Sequence, residues 1–168
     1  IQALPKLDVS RQKANTRDQW EALLAVDDAI KSIVKELEGK KILDKTVIIF
    51  MTDNAYAHGE HRWEGKRCPY DVCMQTPLLI YYPGKSGDKI EKLVGNIDIA
   101  PTIIELAGAK AGIGQDGISL VPLIEGKTVL WRDAILGHWG GGGLVSPSNP
   151  PNFWSVRTGN YRYTEYDT

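Results

Sequence analysis

The sequence has little cysteine, no long hydrophobic run and almost no net charge. Its 168 residues include two cysteines, and 20 basic side chains nearly cancel 21 acidic ones. The longest apolar stretches, residues 46–51 and 77–83, fall far short of the ~20 residues that span a bilayer. Balanced charge gives no overall attraction to nucleic acid or to an anionic membrane. We therefore expect no membrane span and no nucleic-acid partner, and we expect any ligand to be recognised at a local site.

The two cysteines, Cys68 and Cys73, are the only residues available for thiol chemistry. Their five-residue spacing fits neither a CxxC redox pair nor a zinc ribbon. Two unpaired thiols are the favoured interpretation, and a single disulfide is the alternative.

The chain pattern predicts an α/β fold. Residues 16–38 have the period of an amphipathic helix with one buried face, in which Thr16 and Gln19 form a capping box. The run 46–51 is β-branched and lacks polar alternation, which is typical of a strand covered on both faces. A second apolar strand is predicted at 77–84. The apolar helix positions are Trp20, Leu23, Leu24, Ile30, Ile33, Val34 and Leu37.

The later part of the chain changes in character near residue 126. A short buried helix is predicted at Ile99–Leu106, ending before Gly108. Glycine and proline between residues 140 and 151 predict a flexible linker, and residues 153–164 predict a hairpin of two aromatic strands about a Thr-Gly-Asn turn. We therefore place one domain at 1–126 and the beginning of another at 127–168.

Asp53 and Asn54 follow the end of the first predicted strand, where α/β sheets bind their ligands. A carboxylate and an amide oxygen are hard donors that suit Ca²⁺ or Mg²⁺. Two residues cannot hold such an ion alone. An Asx turn or a helix cap is the alternative, and spacing alone favours it.

A basic segment follows at residues 59–67. Lysine as a point charge and arginine as a bidentate fork could bind a tetrahedral oxyanion here. His58 or His61 could donate a proton to a leaving group near neutral pH. The alternative is a solvated loop with surface histidines.

Several motifs in fixed order resemble the second half of a sulfatase catalytic domain, in the alkaline phosphatase-like superfamily. The resemblance covers residues 17–164, and the ordered conjunction is more specific than any single motif. It implies a partial alkaline phosphatase-like sheet with flanking helices, followed by a small antiparallel C-terminal sheet. The motifs are 23–30, 43–54, 59–61, 65–67, 69–71, 76–79, 83–84, 96–102, 106–108, 116–120, 156–158 and 161–163.

The resemblance assigns roles to individual residues. Asp53 and Asn54 would be two ligands of an active-site Ca²⁺, with Mg²⁺ possible, and Lys66 would contact the substrate sulfate. His61 would be a catalytic neighbour of the substrate. Asp98 is expected to be structural, as a helix cap, and Asp116 is expected to lie in a turn.

The family nucleophile is a formylglycine made from cysteine in a Cys-x-Pro-x-Arg motif. That motif is absent, because Cys68 is followed by Pro69 and Tyr70, and Cys73 does not match either. The chain is then either a fragment of a longer enzyme or a degenerate relative. We expect a fragment, truncated at both ends, that is inactive alone and whose nucleophile lies in a missing N-terminal part.

The resemblance is strongest to sulfatases of sulfated sugars, including members similar to N-acetylglucosamine-6-sulfatase. It implies a sulfated small molecule or sugar as substrate, and export to the periplasm, the lysosome or the cell exterior. Phosphatases and phosphodiesterases of the superfamily typically have an Asp-His pair after the equivalent strand, where this chain has Asp53 and Asn54, and Asn54 therefore favours the sulfatase. A non-catalytic oxyanion-binding or assembly domain is the other alternative.

Overall fold

The computed structural model describes residues 8–141 and 151–167, which fall into two compact units. The first unit contains α1 (Val9–Gly39), β1 (Ile48–Met51), β2 (Ala57–His58), β3 (Glu64–Gly65), α2 (Asp71–Met74) and β4 (Leu78–Tyr81). The second contains α3 (Ile99–Leu106), α4 (Val121–Ile124), β5 (Ala134–Trp139), β6 (Phe153–Thr158) and β7 (Arg162–Tyr166). Short 3₁₀ turns lie at Leu43–Lys45, Glu60–Arg62 and Asn96–Asp98. The mixed α/β class is the one that the sequence predicted.

Helix α1 begins earlier than the sequence pattern predicted. Asp8 is its N-cap, and its Oδ1 accepts hydrogen bonds from the backbone N–H groups of Ser10 (2.9 Å) and Arg11 (3.1 Å). The predicted cap, Thr16, lies inside the helix and donates its hydroxyl to the carbonyl of Gln12 at 2.9 Å. The prediction missed the first two turns because they are mostly polar, so hydrophobic periodicity does not reveal them. The predicted end at Gly39 is confirmed.

The apolar stripe of α1 is exposed, contrary to prediction. Trp20, Leu23 and Leu24 are each more than half exposed, and Gln12 is the one buried residue in the helix. The described residues supply no layer that covers this face. Periodicity identifies which face of a helix is apolar, but burial also requires a second surface to pack against it.

Strands β1 and β4 pair antiparallel, with Ile48 opposite Tyr81 and Met51 opposite Leu78. Both were predicted as strands. The expectation that the first is covered on both faces is only partly met, because all four β1 residues are half-buried. In β4, half-buried and exposed residues alternate.

Residues 52–77, which connect β1 to β4, form a structured excursion. Strands β2 and β3 form a two-residue ladder, Ala57 opposite Gly65 and His58 opposite Glu64, and the short helix α2 follows. Cys68 and Cys73 form a disulfide with a Cα–Cα distance of 5.5 Å, so the favoured interpretation of two free thiols is wrong. A disulfide therefore cross-links two residues within this excursion.

The second unit contains the predicted antiparallel sheet in the order β5, β6, β7. The predicted hairpin is confirmed as β6 and β7, and the backbone N–H of Thr158 donates to the carbonyl of Tyr161 at 2.8 Å to close its turn. Helix α3 matches its predicted bounds. Strand β5 was not predicted, because Gly137 and His138 interrupt its apolar pattern.

Asp98 is fully buried in this unit. Its carboxylate accepts from the backbone N–H groups of Gly95 (2.9 Å) and Ile118 (2.8 Å), so the structural role predicted for it is confirmed. It makes no side-chain cap on α3 itself, however, but reaches back to the turn before that helix. Asp116 lies in a bend, as expected.

The predicted linker falls mainly on residues 142–150, which lie outside the described part of the chain. The compact units divide after Gly84, and the domain boundary near residue 126 stays a prediction. Within residues 8–141 and 151–167, no helix combines the length and apolar character needed to cross a membrane.

Candidate functional site

Asp53 and Asn54 lie two and three residues past the end of β1. The Thr52 hydroxyl is 3.1 Å from the carbonyl of Asn54 and 3.4 Å from Oδ1 of Asp53. The Asp53 side chain is exposed, Asn54 is half-buried, and no other described side chain bonds either of them. A local turn therefore presents one carboxylate and one amide at the end of a strand.

These donors suit a hard cation in type. Ca²⁺ takes six to eight oxygen ligands in proteins, so an aspartate and an asparagine would supply only part of a shell. Within the described residues, no group of three or more His, Cys, Asp or Glu side chains could hold a metal ion. The assignment of Asp53 and Asn54 as Ca²⁺ ligands stays a prediction.

Lys66 follows β3 directly, and its side chain is exposed. Among the described residues it makes no hydrogen bond or ion pair. The neighbouring Glu64 is instead paired with Arg11 of α1, at 3.0 Å. An ammonium without a carboxylate partner keeps its full charge available for an anion.

His61 lies in a strained turn. Its φ is 53°, that of Arg62 is 63°, and Gly59 before them has φ 114°. Two consecutive non-glycine residues in the left-handed region cost on the order of 1–3 kcal/mol each, and such strain is concentrated at functional sites. The imidazole stacks on Tyr70 with ring centroids 4.0 Å apart and an interplanar angle of 12°.

His58, the other candidate proton donor, is already engaged. Its Nδ1 lies 3.0 Å from the hydroxyl of Thr16, which itself donates to Gln12. The His58 Nδ1 must then act as the donor to that oxygen. This contact borders a cavity of about 910 Å³ that is also lined by Trp20, Gly59 and Arg62.

Backbone contacts bring the two predicted segments into one cluster. Gly65, just before Lys66, pairs with Ala57, and the N–H of Ala55, just after Asn54, donates to the carbonyl of Cys73 at 3.1 Å. No hydrogen bond or ion pair joins any two of the four predicted side chains. Backbone contacts thus link the segments, while no hydrogen bond or ion pair links those four side chains.

Sequence reasoning missed two parts of this cluster. Tyr70 supports His61, and the disulfide closes the segment that follows Lys66. Tyr70 stood within a motif that the family resemblance used, Pro69-Tyr70-Asp71, but nothing local to it indicated a stack. The five-residue Cys spacing permitted the disulfide without selecting it.

Comparison with known proteins gives this cluster a family context. Residues 5–109 match the family model described as sulfatase, and residues 59–167 match the model described as N-sulphoglucosamine sulphohydrolase, C-terminal. The chain belongs to the sulfatase family. Asp53, Asn54, His61 and Lys66 all lie within the first match, and the second contains the three-stranded sheet of this sulfatase chain.

Curated relatives include sulfatases of an amino sugar. Human N-acetylglucosamine-6-sulfatase is 38% identical over 140 residues, 80% of this chain and 25% of that protein. The N-acetylglucosamine-6-O-sulfatase of Bacteroides thetaiotaomicron is 38% identical over 128 residues, 73% of this chain and 23% of that protein. The sulfatase chain thus spans about a quarter of the length of these relatives.

Solved structures share the fold. A protein in complex with its substrate D-glucosamine-2-N,6-O-disulfate has a TM-score of 0.73 and 30% identity, over 86% of this chain and 30% of that one. The phosphonate monoester hydrolase of Silicibacter pomeroyi has a TM-score of 0.74 and 27% identity, over 84% of this chain and 30% of that one. The predicted alkaline phosphatase-like architecture is therefore confirmed for the corresponding part of such proteins.

Proposed function

We propose that this chain carries part of the Ca²⁺- and sulfate-binding site of a sulfuric ester hydrolase that acts on sulfated sugars. The observation that carries this is the match to the sulfatase family across every predicted site residue. Relatives named as N-acetylglucosamine-6-sulfatases support an amino-sugar sulfate as the substrate class.

Each residue has a separate role in the proposal. Asp53 and Asn54 would provide two oxygen ligands to a divalent cation, which when bound withdraws negative charge from the sulfuryl oxygens. Lys66 would place its exposed ammonium on a sulfate oxygen and stabilise the charge that develops there. His61, held by Tyr70, would contact the sugar or donate a proton to its leaving oxygen.

The 168-residue chain alone should not hydrolyse sulfate esters. It contains no Cys-x-Pro-x-Arg motif, and both of its cysteines are bonded to each other, so neither can serve as the precursor of a nucleophile. A formylglycine and the remaining cation ligands would have to come from sequence outside these residues. Metal-dependent release of sulfate from an aryl sulfate or a sugar sulfate by the purified chain would contradict this.

Binding can be tested on the chain itself. We expect CaCl₂ with N-acetylglucosamine-6-sulfate to shift the ¹H–¹⁵N signals of Asn54 and Lys66. The Lys66→Ala variant should lose the response to the sugar sulfate, and the matched control Lys110→Ala, an exposed lysine of the second unit, should keep it. Shifts confined to other residues, or an unchanged response in Lys66→Ala, would remove Lys66 from the site.

In a longer enzyme that includes this chain, Lys66→Ala should lower turnover by on the order of 10²-fold or more, as loss of one transition-state charge stabiliser commonly does. Unchanged turnover would exclude the proposed role.

A phosphonate or phosphate ester is the competing substrate class, favoured by the structural likeness to phosphonate monoester hydrolase. Asn54 opposes a two-zinc phosphatase site, because an amide oxygen suits Ca²⁺ and zinc prefers imidazole. Comparing a phosphonate monoester with the sugar sulfate in the same titration separates the two. Stronger shifts at Lys66 with the phosphonate would favour the competitor.

A further inference from the structure

The disulfide is part of a buried cluster in the excursion between β1 and β4. Cys68 and Cys73 are each 2% exposed and form a buried cluster with Ala57 and Trp63. Val72 packs against this cluster. It is the only buried hydrophobic cluster that the described part of the first unit contains. The excursion between β1 and β4 is therefore organised around the cysteine pair.

Cys73 contacts the segments on both sides. Its carbonyl accepts from the N–H of Ala55 at 3.1 Å, which is the residue after Asn54. Its sulfur lies 3.4 Å from the carbonyl oxygen of Gly65, the residue before Lys66. A disulfide sulfur has no proton to donate, so this second contact is one of packing. One residue thus touches the immediate neighbours of both predicted functional segments.

The covalent bond adds a third connection. Cys68 follows Lys66 by two residues, so the disulfide ties the chain on the far side of Lys66 to the same Cys73. Lys66 therefore lies between two residues that contact Cys73. Gly65 packs on the Cys73 sulfur, and Cys68 is bonded to that sulfur.

The regular secondary structure of this excursion is short. The β2–β3 ladder has two residue pairs, and α2 has four residues, far below the length at which a helix is stable alone. The turn between β2 and β3 includes two left-handed non-glycine residues, which weaken it further.

We propose that the Cys68–Cys73 disulfide is a positioning element that holds the Lys66 segment against the Asp53–Asn54 segment. Reduction leaves both segments in the chain but frees Lys66 to move relative to the acid and the amide. The role of the disulfide in a metal- and sulfate-binding site rests on the proposed function, whereas the contacts of Cys73 do not.

The test uses the intact chain, oxidised or reduced with a phosphine. Mn²⁺ serves as the probe because it takes oxygen ligands and broadens nearby NMR signals, an effect that falls steeply with distance. In the oxidised chain we expect Mn²⁺ to broaden Asn54 and Lys66 together. After reduction Asn54 should stay broadened while the broadening at Lys66 falls at least twofold, and reoxidation should restore it.

Two controls locate the effect. Asp53→Ala should abolish the broadening in both redox states, and the exposed Asp88→Ala should leave it unchanged. The Cys68→Ser/Cys73→Ser variant should reproduce the reduced chain. Signals of α1 in the first unit should be the same in all samples, which separates loss of position from unfolding of that unit.

The outcomes are distinct. Equal broadening of Lys66 in both redox states overturns the positioning role. If Mn²⁺ broadens neither segment of the oxidised chain, the metal part of the proposed function fails, and amide exchange decides the positioning role. Exchange of the Ala55 N–H that is at least tenfold faster after reduction then supports it, and unchanged exchange overturns it.

Discussion

Arg132 binds the buried carboxylate of Asp98 with both terminal nitrogens of its guanidinium group. Nη1 lies 2.5 Å from Oδ2 and Nη2 lies 2.6 Å from Oδ1, across 34 residues of sequence. Burial by itself raises the pKa of Asp98, but the hydrogen bonds from Arg132, Ile118 and Gly95 outweigh it, so the net pKa lies below the ordinary value. The second unit is thus organised around an ion pair whose oxygens are fully satisfied.

Replacing Asp98 by Asn should destabilise the second unit. The change removes the negative charge while Arg132 stays 13% exposed, and breaking a buried pair from one side typically costs about 3–5 kcal/mol. Urea unfolding, followed by the NMR signals of β5, β6 and β7, measures this loss of unfolding free energy. The exposed Asp88→Asn should change stability by less than about 0.5 kcal/mol, and a similarly small change in Asp98→Asn would contradict the expectation.

The stability of the second unit should depend on pH through Asp98. The pKa of Asp98 in the folded protein lies below its ordinary value of 3.8, so the folded state favours the ionised carboxylate. The stabilisation from ionised Asp98 is fully present at a pH above the pKa of the unfolded state. It is lost as the pH falls through the pKa of the folded state. We expect the urea midpoint to decline as the pH falls below 3.8. The decline should be smaller in Asp98→Asn, and parallel curves for the two proteins would refute the linkage.

Gly117 should not tolerate even alanine. A Cβ at this position would lie 1.9 Å from the carbonyl oxygen of Ile97 and 2.9 Å from the backbone nitrogen of Asp98. Backbone atoms cannot rotate away, so we expect Gly117→Ala to cost at least about 1–3 kcal/mol in unfolding free energy. Gly112→Ala and Gly114→Ala are matched controls with open space around the added methyl. Equal thermal stability of all three variants would contradict this expectation, because the backbone at Ile97 and Asp98 would then shift to accommodate the methyl group.

Tyr70 should fix the orientation of His61. A face-to-face stack at 4.0 Å places the imidazole protons in the shielding region of the phenol ring, so their NMR signals should be shifted upfield. Tyr70→Phe keeps a ring and should keep the shift, whereas Tyr70→Ala should lose it. An unshifted His61 in the parent chain would mean that the stack is not populated.

Local sequence patterns located most secondary structure and the candidate site segments. Apolar β-branched runs marked β1 and β4, and turn chemistry marked the hairpin of β6 and β7. The position of Asp53 directly after a strand followed from the same reading, since a strand end is visible in the local sequence. Such features depend on residues that are neighbours in the chain, and a pattern-based analysis detects them.

Other features could not be predicted locally. The start of α1 depended on Asp8 and a polar first stretch that periodicity does not detect. The exposure of Trp20 depended on which surfaces are present to cover it. Neither is encoded in the spacing of apolar residues along the helix.

By itself, the sequence determined the α/β class, the sulfatase resemblance and the residue types offered at the candidate site. Only the tertiary structure decided that Cys68 bonds Cys73, that Tyr70 supports His61 and that Arg132 neutralises Asp98. The physical reason is that each of these pairs depends on how the backbone folds back on itself. Composition and spacing permit many such pairings, and packing selects among them.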